Sequence, residues 1–293
     1  MRYFIIVLIS VCSLMQANIG GYAIFDYQNS EGDQAFDVKR AYLQYTDDLS
    51  DDLFFKFRLD VGRDSDGNDD KLSAYIKNVY VDWSCKWGGV LSMGLIGTNT
   101  YGAQENTWGY RFVEKSLLDR YKMTNTADFG IGYSVDFGNL NVSMQSLNGE
   151  GYKNTDSDGE QSMYFRLLYG EGSLNKTNGY NFGLVGSSSM GDDLNDMVGI
   201  FAGYSNEKVR LGVEFNSLDT GIKEEAVGLY GNYNVCESWD VFARHDINTI
   251  DVDEHSSSLV GAVWKPTKGL YISPNVAINE DSNVYRVTCM FKY

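Results

Sequence analysis

Histidine, proline and cysteine are all scarce here: two, two and four residues in a chain of 293. Catalysis by a histidine base has only His245 and His255 to draw on. The "EHSSS" around His255 sets serines beside it in sequence, which is not triad geometry. Cys12 falls within the N-terminal apolar run, and Cys85, Cys236 and Cys289 give neither a disulfide framework nor a metal-ligand spacing. With two prolines against 31 glycines, the turn signals rest on glycine, asparagine and aspartate. An excess of basic residues is also missing. The formal charge of −16 argues against nucleic acid, whose phosphates would be repelled. Gly-rich phosphate loops and metal constellations are absent, so no cofactor is expected. Beyond the N-terminus, no apolar run is long enough to cross a bilayer as a helix, which needs about 20 residues.

The chain opens "MRYFIIVLISVCSLMQANIGG", one arginine, a short apolar run, then small and polar residues. That is the layout of a secretory signal peptide. We assign residues 1–20 to it, with cleavage between Ala17 and Gly20, and treat 21–293 as one domain.

Within that domain the dominant signal is alternation. "VYRVTCMFKY" at the C-terminus sets Tyr285, Val287, Cys289, Phe291 and Tyr293 on one face and Arg286, Thr288, Met290 and Lys292 on the other. Residues 53–61, 127–137 and 208–216 repeat the pattern, with Tyr, Phe and Val opposed by charges and glycines. A period of two is that of a strand, and a polar face carrying charge suits a wall with lipid outside and water inside. Turn signals divide the domain into sixteen segments, from 20–28 to 284–293. Long acidic connections such as "NSEGDQ" and "GEGYKNTDSDGE" alternate with tight ones such as "CKWGG" and "PTKG", although "TDDLSDD" and "GEGSLNKTN" are longer than their set. The expected fold is all-β: a 16-stranded antiparallel transmembrane β-barrel with a partly helical insert in its third external connection.

That insert, within residues 99–126, breaks the rhythm. In "ENTWGYRFVEKSLLDRY" the residues Tyr110, Val113, Leu117 and Tyr121 recur at helical spacing, while Arg111 and Lys115 share another face with Glu114 and Asp119.

Sixteen strands, a long third external connection and a C-terminal aromatic strand resemble a Gram-negative outer-membrane porin. "AFDVKRAYLQY" followed by "LFFKFRLDV" resembles the second and third strands of phosphate-selective (O/P-type) porins. The resemblance implies an integral outer-membrane protein, surrounded by lipid, that passes small hydrophilic solutes or inorganic ions and assembles as a homotrimer. It also implies that the third loop folds into the lumen as a constriction. Trp108, Tyr110, Val113, Leu117 and Tyr121 would then anchor the loop. Glu105, Arg111, Glu114, Lys115, Asp119 and Arg120 would line the opening.

By strand parity Arg40, Lys56, Arg58, Arg166, Arg210, Arg244 and Arg286 point into the lumen. Their number argues for a wet interior, because an unpaired guanidinium in an apolar core is very costly. They favour anions, phosphate by the resemblance. The inward Asp60, Asp82, Asp128, Asp136, Glu214 and Asp246 and the acidic external loops pull the other way. Asp64, Asp66, Asn68 and Asp70 alternate as in a calcium loop, yet the glycine is misplaced and no downstream bidentate Glu follows, so a solvated acidic loop is the better reading and no metal is expected. Other classes for such a chain are a barrel with a structural or surface-binding role, a barrel hydrolase, and a soluble secreted β-protein. Short external loops disfavour adhesion.

Overall fold

The computed structural model describes residues 17–30, 33–63, 71–156, 159–191, 195–280 and 282–293. The strands are β1 (Asn18–Ser30), β2 (Asp33–Ser50), β3 (Leu53–Arg63), β4 (Leu72–Ser84), β5 (Val90–Ile96), β6 (Asp128–Phe137), β7 (Leu140–Leu147) and β8 (Ser162–Gly170). They continue as β9 (Gly179–Ser189), β10 (Asp196–Ser205), β11 (Val209–Asp219), β12 (Lys223–Cys236), β13 (Trp239–Ile250), β14 (Asp253–Thr267), β15 (Leu270–Asn279) and β16 (Asn283–Lys292). All sixteen pair antiparallel with their sequence neighbours, and β1 closes on β16, with Tyr22 opposite Lys292 and Phe25 opposite Cys289. Closure leaves no unpaired sheet edge, and that is what allows strands to span a bilayer.

The alternation seen in the sequence sorts the two faces as expected. In β13, Asp240, Phe242, Arg244, Asp246 and Asn248 are buried in the lumen while Trp239 and Val241 stay exposed on the outside. Asp60, Asp128, Glu214 and Asp246 are likewise buried inside. Outward exposure of Phe129, Ile131, Ile200, Leu211, Leu229 and Phe291 forms the lipid-facing band.

Of five register shifts among the described residues, two fall in mid-strand and alter the parity. Between β3 and β4, Arg58 faces Asn78 but Leu59 faces Ile76, so Lys77 is the extra residue of a β-bulge. Between β1 and β2, Ile24 faces Arg40 but Phe25 faces Val38, which makes Lys39 the extra residue. Pro274 lies within β15 without an N–H to give. The paired register with β14 accordingly skips from Gly261↔Asn275 to Trp264↔Ile272.

"TDDLSDD" is absorbed by the barrel, since β2 runs to Ser50 and only Asp51 and Asp52 turn. The β8–β9 connection stays long and folds under the lumen. Asp64, Asp66, Asn68 and Asp70 lie outside the described residues, as do residues 1–16. Among the described residues there is no cluster able to hold a metal and no helix long and apolar enough to cross a membrane.

Candidate functional site

The connection between β5 and β6 enters the barrel instead of covering it. Its neck is tied by hydrogen bonds: the Thr98 hydroxyl donates to the Asn125 carbonyl, Thr100 meets Thr124 at 2.9 Å, and the Asn99 amide donates to Ser143 Oγ at 3.0 Å. The segment is not one helix. It forms α1 (Gly102–Trp108), a turn, and α2 (Leu117–Arg120). Gly109 ends α1 in the left-handed region at φ 74°, and its N–H closes on the Glu105 carbonyl. Glycine enters that region without the steric penalty of a Cβ. The Trp108 indole then donates to the Glu114 carbonyl at 2.9 Å, holding the turn shut.

The apolar stripe packs in two clusters on the wall opposite β2–β4. Trp108 is fully buried, edge-on to Tyr230 and Phe242 with ring centroids 5.6 Å away in each case. Tyr110 packs on the same rings and donates its hydroxyl to Asp240 at 2.7 Å; Val113 is buried beside it. Leu117 and Leu118 are buried with Met197, Leu218 and Ala226, and half-buried Tyr121 packs against that cluster. Leu117 fits because Gly228 of β12 lacks a side chain; a Cβ there would stand 3.2 Å from Leu117 Cδ2. Each such side chain contributes about 1.5–3 kcal/mol of burial, so the loop is held firmly against β8–β14.

The charges divide into clamps and a facing set. Arg244, buried under the loop, meets Asp246 at 2.8 Å, donates to the Lys115 carbonyl at 2.6 Å and lies over the Trp108 ring. Arg120 reaches Asp246 at 2.9 Å, and Arg286 reaches Glu114 at 3.4 Å. Arg244 and Arg286 are buried in these contacts, whereas Arg120 is partly exposed. On the loop's other side Arg111 lies 3.0 Å from both Glu105 and Asp119, and Lys115 lies 3.2 Å from Asp119. Burial works against the charge on Arg111, but Glu105 and Asp119 outweigh it and hold the group protonated well above its ordinary value.

Facing that cluster is the β2–β4 wall. Arg40 pairs with Asp60 at 3.2 Å. Arg58 donates to the Gln44 carboxamide and lies over Tyr42, with 5.1 Å to the ring centroid. Lys56 lies over Tyr80, and Lys77 donates to Thr126 Oγ1 at 2.7 Å beside the Tyr152 ring. Lys77 escaped the sequence reading because parity counted back from Tyr80 places it outside; the bulge brings it in. Arg166 sits apart on β8, bonded to Asn141, and Arg210 lies on the periplasmic side of the loop. Of the histidines, His245 faces outward against Ser258 at 2.9 Å, and His255 lies at the exposed external rim 3.6 Å from Glu280. No partner serine and acid gather around either ring in these contacts.

One further contact was unreadable in sequence. The β8–β9 turn reaches the loop from below: the Asn106 amide donates to the Gly172 carbonyl at 3.0 Å, and Leu174 is buried there.

No curated protein matches the chain. Several solved barrels do in fold. The Salmonella typhi OmpF complex with daunomycin superposes with a TM-score of 0.73 at 11% identity, over 94% of this chain and 97% of that one. The trimer form of Vibrio cholerae OmpT, an outer membrane protein, gives 0.69 at 12%, over 95% and 99%. A mutant of Rh. blastica porin gives 0.65 at 17%, over 95% and 100%. At such identities these likenesses show the sixteen-stranded fold alone. The sequence itself matches the family described as phosphate-selective porin O and P over residues 9–170. That span covers more than half the chain, and with a closed barrel, a lipid-facing band and a charged, loop-narrowed lumen it places this protein in the phosphate-selective porin O and P family, as an integral outer-membrane porin.

Proposed function

We propose that this porin passes small anions, phosphate among them, preferentially over cations, and that its selectivity is set between the inserted loop and the β2–β4 wall. The observation that carries this is an imbalance of pairing. Glu105, Glu114 and Asp119 on the loop each have an arginine or lysine partner within 3.4 Å. Lys56, Arg58 and Lys77 opposite them meet only rings, an amide and a hydroxyl among the described residues. Lys77 is buried, and Asp82 on the same wall accepts from Ser92 without an ion-pair partner among the described residues, so Lys56 and Arg58 against that one carboxylate leave a positive excess; lining charge sets which ions enter a wet pore. The family's description as phosphate-selective supports the same direction.

In this reading Arg111, Lys115, Glu105 and Asp119 form the loop's side of the constriction. Arg120, Glu114, Arg244 and Arg286 hold it in place. Arg40, Lys56, Arg58 and Lys77 form the other side. The mature chain starts within Ala17–Gly20: Asn18 already pairs with Thr46 in the barrel, so a cut near Ala17 leaves β1 whole. We also infer a homotrimer, supported by the trimer form of the OmpT relative.

Reversal potentials across a planar bilayer in a potassium chloride gradient test the selectivity. Anion preference is expected in the wild type. Arg58→Gln should lower the anion/cation permeability ratio roughly sevenfold, since one charge about 7 Å away favours a passing anion and disfavours a cation by about 0.6 kcal/mol each in water. Cation preference in the wild type, or an unchanged ratio in Arg58→Gln and Lys56→Gln together, refutes it.

A further inference from the structure

Beneath the loop, on the flank away from the β2–β4 wall, lies a pouch of about 590 Å³. Its floor and sides come from the periplasmic ends of strands and turns, including Lys176, Lys208, Lys265 and the C-terminal Lys292. Its ceiling is the loop itself at Gly109, Tyr110 and Phe112, and behind these the fully buried Trp108. The pouch is thus closed above and open toward the periplasm. It stands apart from the facing charges that set selectivity.

Its chemistry contrasts with the rest of this acidic chain. Five cations line it against two carboxylates, Glu207 and Asp240. Asp240 is fully engaged by the Tyr110 hydroxyl, Asn234 and Lys265. Lys176, Lys208 and Lys292 have no ion-pair partner among the described residues. Arg210 is the most informative group. Its guanidinium lies over the Tyr110 ring and gives one N–H to the Trp108 carbonyl at 3.2 Å, while its buried Nε has no acceptor. That Nε is closed off against Gly109, so a ligand in the pouch meets the guanidinium along the edge that lines it; carboxylate and phosphate both suit such a fork, and the apolar lining decides between them. Beside these cations Phe112, Tyr271 and Met290 contribute apolar surface. A hydrated inorganic ion gains nothing from that surface.

We infer that this pouch is a binding site, reached from the periplasm, for a carboxylate carried on a compact apolar or aromatic body. The carboxylate meets Arg210 and Lys208, and the body lies against Phe112, Tyr271 and Met290. The cavity is within the size range of small-molecule sites. The inference is independent of ion selectivity at the opening.

Calorimetry on the folded full-length barrel in detergent, with sodium benzoate as the probe, tests it. Saturable binding is expected, at least tenfold tighter than for sodium acetate or inorganic phosphate. Arg210→Gln should weaken it at least tenfold, and Lys208→Gln, an exposed position that leaves the loop's contacts untouched, about fivefold. Lys86→Gln, the same charge change on another periplasmic turn, should leave it unchanged. Absence of saturable heat overturns the inference. So does equal affinity for phosphate or acetate, or undiminished benzoate binding in Lys208→Gln.

Discussion

At Gly109 the path of the inserted loop is decided by one missing side chain. The residue ends α1 at φ 74°, and a Cβ there would stand 2.4 Å from Arg210 Nη2. Both facts forbid a branched residue. Gly109→Val should cost about 1–2 kcal/mol in backbone strain alone, with more for the displaced guanidinium. Because the strain sits where Trp108 turns into its pocket, the loop and not the barrel takes it up. The expected outcome is a broadened distribution of single-channel conductance with an unaltered far-ultraviolet strand spectrum; a single sharp conductance equal to wild type would show that the turn tolerates the change. Residues of this kind were half legible in the sequence. Tyr110, Val113 and Leu117 showed themselves as an apolar stripe, and all three are buried. The stripe arises without a continuous helix, because a turn between two short helices carries the same residues to the same wall.

The loop as an element is held by burial on one flank and by ion pairs at its charged positions, and the two respond differently to pH. Burial raises the Glu114 and Asp119 carboxyl groups, but arginines and lysines outweigh it. Arg120, Arg286 and Arg244 act on Glu114, and Arg111 and Lys115 on Asp119, so both carboxyls stand below their ordinary values. A depressed pKa in the folded state contributes stability that is present above the unfolded value and is lost as pH falls through the folded one. Docking should therefore be unchanged from pH 8 to pH 5 and weaken below about pH 4, where ordinary carboxylates already titrate. Glu105 has the opposite sign, since burial raises it, and protonates first as pH falls. Its loss leaves Arg111 with Asp119 and so changes little alone. Single-channel recordings at pH 3.5 should show more open-state noise than at pH 7; equally quiet traces at both would mean that the ion pairs do not hold the loop. The support from the β8–β9 turn was invisible in sequence, because "GEGSLNKTN" reads as an overlong connection until Leu174 is seen packed beneath α1.

For the whole molecule the lipid-facing band raises the question of assembly. If the protein is a homotrimer, brief amine or zero-length cross-linking in its native membrane should give a ladder ending at three times the mass of the mature chain, and its native mass should agree. A ladder that stops at one chain would restrict the proposal to a monomeric pore. What the sequence by itself determined was the barrel. A period of two, repeated through sixteen segments, makes every strand apolar on one side and polar on the other. Closure in a bilayer, apolar face to lipid and charged face to water, satisfies both faces and every backbone group at once. Tertiary structure alone decided which charges become neighbours. Parity sent Arg58, Arg210 and Arg244 to the same interior as equals. The docked loop then left one facing it, one beneath it and one buried under it, and a bulge added Lys77, which parity had placed outside. Those assignments depend on contacts between residues a hundred or more positions apart, and on a register shift of one residue, which no local periodicity encodes.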